Sequence, residues 1–443
     1  MKDLVWRALW NRCAGALAPA LLLAFSNLPA NAQTTSDLLN PLFQGILARP
    51  ADFNNALQYA TLAPAGDIES AISTYEQLLF YNPNLANVRF ELGVLYYRLG
   101  SYEMARSYFD SALKMKDMTP GLRQRTEDLI AAIDKKLQPD QFSGYVQSGF
   151  RYQTNAALGP AAGTTLASGR VFNNTFAARP DWNWFGAFGL NYVHDFEDQA
   201  GNTFEASALG YDAQQFKLHQ FDIGVMELRA GPRFGILSDT AIGLSIKPYF
   251  IATGATLADA VYYGGLGGGL TARIKLGDVS LDPYAEVVQQ SFRNQTLYPL
   301  ASGMSGTLWT VGLQASGPVY ASLGFQTRVT YAHADANFNP FGYNAYAGDI
   351  WLPWNFSPLN DGRTWTLTPT AGVSWWQYNA PDPTIDPNTT PNILEWRVGL
   401  GLEVPIWKLL NLGFLAQYRA DVSNVPAFSM HDFSVTAGPT MRF

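Results

Sequence analysis

Charge is scarce in this chain. Asp, Glu, Lys and Arg together make up 15% of its 443 residues, where a soluble domain carries about 25%. Cysteine is almost missing: the single Cys13 lies in the apolar N-terminal stretch. The rest of the chain therefore holds no thiol for catalysis, zinc binding or disulfides. Long apolar runs are missing too. After the first thirty or so residues nothing approaches the roughly 20 consecutive apolar residues of a membrane-spanning helix. A polytopic helical membrane protein is excluded, although 47% of the residues are hydrophobic. Basic residues do not prevail either. A net charge of -7 offers no positive field for nucleic acid. The four histidines (His194, His219, His333, His431) lie far apart, without the spacing of a metal site. No metal, cofactor or enzymatic activity is expected.

What is plentiful is aromatic residues, at 14%, and glycine, at 39 residues. Together with low charge and a mean hydropathy of -0.06, they suit strands in lipid better than a water-soluble core. The N-terminus reads as an export signal. Lys2, Arg7 and Arg12 form a positive region and Ala14–Phe25 an apolar one, about twelve residues long and too short to span a bilayer. Ala30-Asn31-Ala32 then presents a small-x-small site, so cleavage is expected between Ala32 and Gln33. No cysteine stands at that point to carry a lipid. Residues 1–32 are thus expected to be a signal peptide, 33–137 a helical periplasmic domain and 142–443 an outer-membrane barrel.

The helical stretch repeats at a period of 34 residues. Gly66, Glu69, Ala71, Tyr75 and Leu79 recur as Gly100, Glu103, Ala105, Phe109 and Leu113. Period and pattern resemble the tetratricopeptide repeat, a helix-turn-helix unit. Leu92, Gly93, Tyr96, Ala105, Phe109 and Ala112 fill the packing positions of the second unit. Ala71, Tyr75 and the terminating Pro83 belong to the first, and Asp117 stands where the second unit's proline is expected. The first helix of the first unit departs from the pattern at Gln58 and Tyr59. Thr119 as N-cap and Pro120 at the first helical position open a further amphipathic helix to Leu137, which caps the array. Arrays of this kind need about three stacked layers; helices around Leu38–Leu47 and the barrel mouth are candidates for the missing contacts. The unit reads as a docking surface for a polypeptide, or as a spacer.

From Phe142 the period changes to two. Leu270, Ala272, Ile274 and Leu276 alternate with Thr271, Arg273 and Lys275. Val398, Leu400, Leu402 and Val404 alternate with Arg397 and Glu403; Leu412 to Tyr418 alternate with Gly413, Arg419 and Asp421. Such strands have two faces. The polar face is mostly Gly, Ser, Thr and Gln with scattered charge, and the segments reach ten or more residues. A sandwich or soluble barrel would instead turn a heavily charged face to water. Arg at the lipid face of a barrel costs about 2–4 kcal/mol, so Arg273, Lys275, Arg397, Glu403, Arg419 and Asp421 are expected in the lumen. Trp182, Trp184, Trp351, Trp354, Trp365, Trp375, Trp376, Trp396 and Trp407 fall near strand ends, as interfacial girdles do. Phe433, Val435, Met441 and Phe443 share one parity and resemble the C-terminal signal read by the barrel assembly machinery, with Pro439 a departure.

Fifteen candidate segments can be counted, including 171–180 and 345–357, the latter interrupted by Pro353. Even strand numbers in bacterial barrels make about fourteen, at most sixteen, the expectation. Loops 156–170, 294–304, 337–344 and 379–392 are expected outside the cell. The run Gly264–Gly269 could suggest a phosphate loop, but it lies within a strand and opens no helix. His194-Asp195 could suggest the hydrolytic pair of outer-membrane phospholipases, yet no serine motif accompanies it.

The order of signal, tetratricopeptide-like domain and barrel resembles the surface lipoprotein assembly modifiers, most of all over Gly66–Leu137 and in the first strand, Phe142 to Asn155. The resemblance implies a fourteen-strand translocator in the outer membrane of a Gram-negative bacterium, delivering protein cargo docked at the helical domain. The second reading is an exopolysaccharide export porin. Those carry longer repeat arrays, and an acidic polymer wants a basic lumen. Residues 142–443 hold 16 Lys plus Arg against 22 Asp plus Glu, which leaves a neutral glycan. A passive porin or structural barrel does not explain the helical domain. The linker Gln138–Gln141 is short enough to place that domain directly beneath the periplasmic mouth.

Overall fold

A computed structural model describes residues 68–171, 174–198, 200–237, 242–359 and 362–443. The expected signal with Ala30, Ala32 and Gln33, the stretch Leu38–Leu47, Gln58, Tyr59 and Gly66 lie outside them. The chain divides into two compact units, with the boundary between Gln141 and Phe142.

In the helical unit, α1 is Ile68–Tyr81, α2 Ala86–Arg98, α3 Tyr102–Leu113 and α4 Pro120–Leu137. Helices α2 and α3 form a tight hairpin around Leu92, Gly93, Ala105, Phe109 and Ala112, all buried. Gly93 is required there, because a Cβ would run into the Phe109 ring. Phe90 packs on Phe109 with ring centres 5.6 Å apart. Ala71 and Tyr75 of α1 are buried with Leu92 and Leu95 of α2, while Pro83 is exposed in the turn. Asp117, in place of the motif's proline, accepts a hydrogen bond from the backbone N–H of Ala86 at 3.2 Å. It thereby ties the chain after α3 to the first turn of α2, whose own N-cap, Leu85, supplies no side-chain bond. Thr119 caps α4 by accepting from the Leu122 N–H, with Pro120 at the helix start. Leu122, Leu129 and Ile133 of α4 then cover Phe90 and Phe109.

The second unit is a closed antiparallel barrel of fourteen staves: β1 Asp140–Gln153, β2 Asp181–Asp195, β3 Thr203–Gln215, β4 Ile223–Leu237, β5 Ile242–Leu257, β6 Ala260–Leu276, β7 Val279–Phe292, β8 Gly306–Tyr320 and β9 Leu323–Ala336, followed by β10, in two pieces, Tyr343–Trp351 and Trp354–Phe356, then β11 Trp365–Tyr378, β12 Asn392–Pro405, β13 Leu410–Ser423 and β14 Met430–Arg442. Both pieces of β10 pair with β9 and β11. Pro353 therefore breaks the ladder without ending the stave, and its carbonyl still accepts from the Gly324 N–H at 2.9 Å. The pairing of β1 with β14 closes the sheet and removes its edges.

One candidate strand is corrected. Residues 171–180 form no stave: Val171 makes an isolated bridge to Thr165, and Asn174–Phe176 is a 3-10 turn. Phe176 packs on Phe221 and Tyr298 of other loops, not on a sheet partner. That removal makes the stave number even.

Strand alternation sorts the faces. Leu394, Trp396, Val398 and Leu400 of β12 are exposed on the outside, whereas Glu395 and Arg397 point inward. The same holds for Met226, Leu228 and Phe234 against Arg229 and Arg233 on β4. A continuous apolar outer belt on a closed sheet is a surface made for lipid. Of the tryptophans expected in the girdles, Trp182, Trp184, Trp354, Trp375, Trp396 and Trp407 are exposed, and so is Trp309. Trp376 differs: it faces inward, buried against Tyr343 with ring centres 4.9 Å apart.

Candidate functional site

The barrel has a turn end, where β1 begins and β14 ends, and a loop end. The turn-end connections include the tight 277–278 and 321–322. At the loop end lie 154–180, 216–222, 293–305, 337–342, 379–391 and 424–429. The four loops expected on the outside all fall at this end.

The inward face changes character along the barrel. In its middle and toward the turn end it is polar and charged, and nearly every charge is paired. Glu205 accepts from Arg233 Nε at 2.5 Å and from Lys247 Nζ at 2.9 Å. Glu286 accepts from the Tyr249 hydroxyl at 2.5 Å and pairs with Arg229 at 2.8 Å. On the opposite wall a chain of ion pairs crosses five staves, from β9 to β13, passing over Gly372 of β11. Arg328 and Arg397 share Asp349 at 3.1 and 2.6 Å; Arg397 also pairs with Glu395; Arg419 joins Glu395 and Asp421 at 3.1 and 2.9 Å.

The six expected lumen charges thus have definite places. Arg397, Arg419 and Asp421 sit in this chain. Glu403 takes Arg442 and Asn411, both at 2.6 Å, and Arg273 pairs with Asp282 at 2.8 Å. Lys275 is exposed near the turn end. Charges so satisfied hold the wall rigid and leave little net field for a passing ion. Tyrosines lie flat over inward glycines: Tyr249 over Gly269, Tyr284 over Gly312, Tyr145 over Gly189. Gly269 closes the run that could have suggested a phosphate loop, and the run is a stretch of β6.

Toward the loop end the inward face turns apolar and is buried. Side chains of β1 to β12 join five 3-10 turns from five loops in one cluster. Tyr262, Tyr298, Tyr343, Phe221 and Phe428 are at most 2% exposed. Phe176 bridges Tyr298 and Phe221 at ring distances of 5.7 and 6.3 Å; Tyr298 meets Tyr262 at 5.9 Å. Inward aromatics of an open pore would be wetted, and these are not. Among the described residues, the loop end of the lumen is filled by an aromatic cap.

Sequence reading did not find this cap, because its partners lie from 30 to more than 100 residues apart. The one local signal was a set of short aromatic loop motifs such as Asn339-Pro340-Phe341 and Pro426-Ala427-Phe428, each of which turns into a 3-10 helix.

The largest loop is pinned at its root. Asp432 accepts from the Asn155 N–H at 2.8 Å, Thr154 Oγ1 at 3.1 Å and Gln153 Nε2 at 3.2 Å. The Asn155 amide donates to the carbonyls of Gly159 and His431 and accepts from the Gly159 N–H. Leu158 between them takes φ +51°, a left-handed value that a leucine adopts only under such constraint. At the strand seam, Phe433, Val435, Met441 and Phe443 are exposed on the outer face. Pro439 pairs with Leu412 on β13, but the β1 ladder skips it. His194 packs on Phe196 at the turn end, with ring centres 5.3 Å apart.

A closed fourteen-stave barrel with an apolar outer belt and a polar lumen, following a helical-repeat unit, is an outer-membrane β-barrel protein. No family model matches the chain, and no curated protein does. Among solved structures, the Yersinia enterocolitica type III secretion chaperone SycD, in complex with a peptide of the translocator YopD, is 18% identical, covering 23% of this chain and 81% of that one at a TM-score of 0.22. The Pseudomonas aeruginosa outer membrane protein OpdK is 9% identical, covering 68% of this chain and 98% of that one at 0.34. A bacterial polysaccharide outer membrane secretin is 9% identical, covering 67% and 98%, also at 0.34.

Proposed function

We propose that this protein is an outer-membrane export barrel whose helical unit docks cargo in the periplasm, and that the cargo is a polypeptide of the surface-lipoprotein kind. The aromatic cap carries this reading. A passive diffusion pore has no use for a lumen end filled by buried aromatics, whereas an exporter must stay sealed between transport events. The repeat unit fits docking, because stacked helical hairpins as a class present extended surfaces along which a peptide can lie. An N-terminal export signal and a periplasmic helical unit belong to the same proposal, as does folding by the barrel assembly machinery. Deleting residues 33–137 tests it. Loss of lipoprotein from the surface of intact cells, with the barrel still in the membrane, is the expected result; unchanged display sinks the reading.

One observation favours a second cargo, a neutral glycan. The lumen wall pairs its own charges and sets the half-buried Tyr284 over Gly312, and an aromatic face of that kind suits a sugar ring. Loss of secreted polymer, with lipoproteins still displayed, would decide for it.

A further inference from the structure

The barrel carries a groove on its outside. It has a volume of about 360 Å³ and lies at the loop end, between loop 154–180 and the outer wall of β13 and β14. Ala161, Thr164 and Ala178 line it from the loop and Tyr418, Ala420 and Val422 from the wall; the inward-facing Asp421 and Met430 also border it, so it lies at the barrel's rim. Tyr418, Ala420 and Val422 share parity with Phe414, so they belong to the lipid-facing surface. Val422 is 59% exposed, as a lipid-facing residue should be, whereas Ala420, two positions away on the same face, is 8% exposed. The loop therefore overhangs the belt and leaves a trough beneath it. The volume is at the lower end of the range for small-molecule sites, about 300–1,000 Å³.

The groove is preformed. Its loop wall is fixed by the Asp432 and Asn155 hydrogen bonds, by the Ala178 N–H donating to the Pro160 carbonyl at 2.8 Å, and by Gly159, where a Cβ would strike the Phe176 carbonyl. What fills it follows from where it opens. It opens at the loop-end rim of the apolar belt, where Ala420 stands opposite Trp396, so its apolar floor leads down into hydrocarbon. We infer that it seats one acyl chain of the outer-leaflet glycolipid, with the hydroxyl of Thr164 and the ring of His431 near its polar end. This rests on the proposed orientation, loop end outward; the same groove in the inner leaflet would meet phospholipid.

The test uses the full-length protein in detergent, with native mass spectrometry after incubation with purified lipopolysaccharide or with phosphatidylethanolamine. Ala420→Trp fills the groove from the wall and Ala178→Phe from the loop. Val373→Trp, on the outer face of β11, is the control. Heat-modifiable gel mobility shows which variants have folded. One retained lipopolysaccharide per barrel is expected for wild type and control, falling roughly tenfold (about 1.4 kcal/mol) in either filled variant. Equal retention in a folded filled variant overturns the site, and so does retention of detergent alone. Phosphatidylethanolamine in preference to lipopolysaccharide overturns the assigned lipid. Protease cleavage within 161–171 on intact cells separates the two failures: cleavage upholds the orientation whatever the lipid result, and protection removes it.

Discussion

At the level of single residues, the helical unit is held by small side chains in places where nothing larger fits. Gly93 faces the Phe109 ring so closely that any added carbon must displace a buried aromatic. Gly93→Leu should therefore part α2 from α3, at a cost of about 1–3 kcal/mol from overpacking. Thermal melting of the helical far-UV signal in the full-length protein should show an earlier helical transition, while the barrel transition stays in place. A change in both would mean that the two units unfold together. The same unit contains a titratable device. Tyr96 and Tyr108 stack with ring centres 5.3 Å apart, and both hydroxyls donate to Glu76 Oε1, at 2.9 and 3.2 Å. Burial first, then the Glu76 bond, raises Tyr96 to about 12, and burial and Glu76 raise Tyr108 as well. A raised folded-state value means that the folded unit holds these protons more tightly than the unfolded chain. Their contribution is present below the ordinary tyrosine value near 10 and is lost as pH climbs toward 12. Helical signal should fall across that window. Glu76→Gln should bring phenolate absorbance of two tyrosines to lower pH; an unchanged titration would remove Glu76 from the account.

At the level of elements, much was legible in advance. Thr119, Pro120 and Leu137 bound a helix whose cap chemistry is local, and thirteen of the staves follow from alternation strong enough to survive in one dimension. The exceptions have physical causes. Within 171–180, Phe176 serves a contact with distant loops, so local pattern pointed to a strand that has no partner. Pro353 interrupts its strand, yet β9 and β11 hold both pieces of β10, because a proline loses a donor and keeps its acceptor. Trp376 shares a strand end with Trp375 and faces the other way, and only the meeting of Tyr343 with it reveals the cap. Pro439 marks the closing seam. Between Gln147↔Thr440 and Phe150↔Ala437 the ladder is interrupted, and there Gly149 and Gly438 approach each other with no room for a Cβ on either. Gly149→Val should block closure of β1 on β14. The folded, heat-modifiable band should drop severalfold on semi-native gels, while Gly264→Val, in open space on β6, leaves it intact. Normal folding of the Gly149 variant would mean that the seam has slack that the backbone contacts do not show.

For the whole molecule, the question is how a sealed barrel transports anything. The lumen divides into a wet, charge-compensated basin and an aromatic cap, and the two ask for different things. The basin excludes little by charge, because Glu205, Glu286, Asp349 and Glu395 each hold a cationic partner. The cap narrows the loop end with buried apolar side chains, and a hydrophobic constriction of that kind opposes the passage of water and ions by dewetting. If the barrel is the proposed exporter, selectivity resides in what can displace Phe176 and Tyr298, and a bulky cargo is better able to do so than a small solute arriving by diffusion. The cap is built from loops, the elements that move at least cost, but its largest loop is rooted by Asp432. Opening should thus lift the aromatic part of 154–180 while its root stays fixed. In planar bilayers the wild-type barrel should conduct poorly, and the double substitution Phe176→Ser with Tyr298→Ser should raise conductance roughly tenfold by removing the centre of the constriction. The open state should discriminate weakly between cations and anions, since the wall it exposes is already neutralised. High conductance in the wild type would make the cap porous and return the barrel to the diffusion pores. A strongly ion-selective open state would show instead that the paired charges separate when the cap lifts, so that cap and basin act as one device.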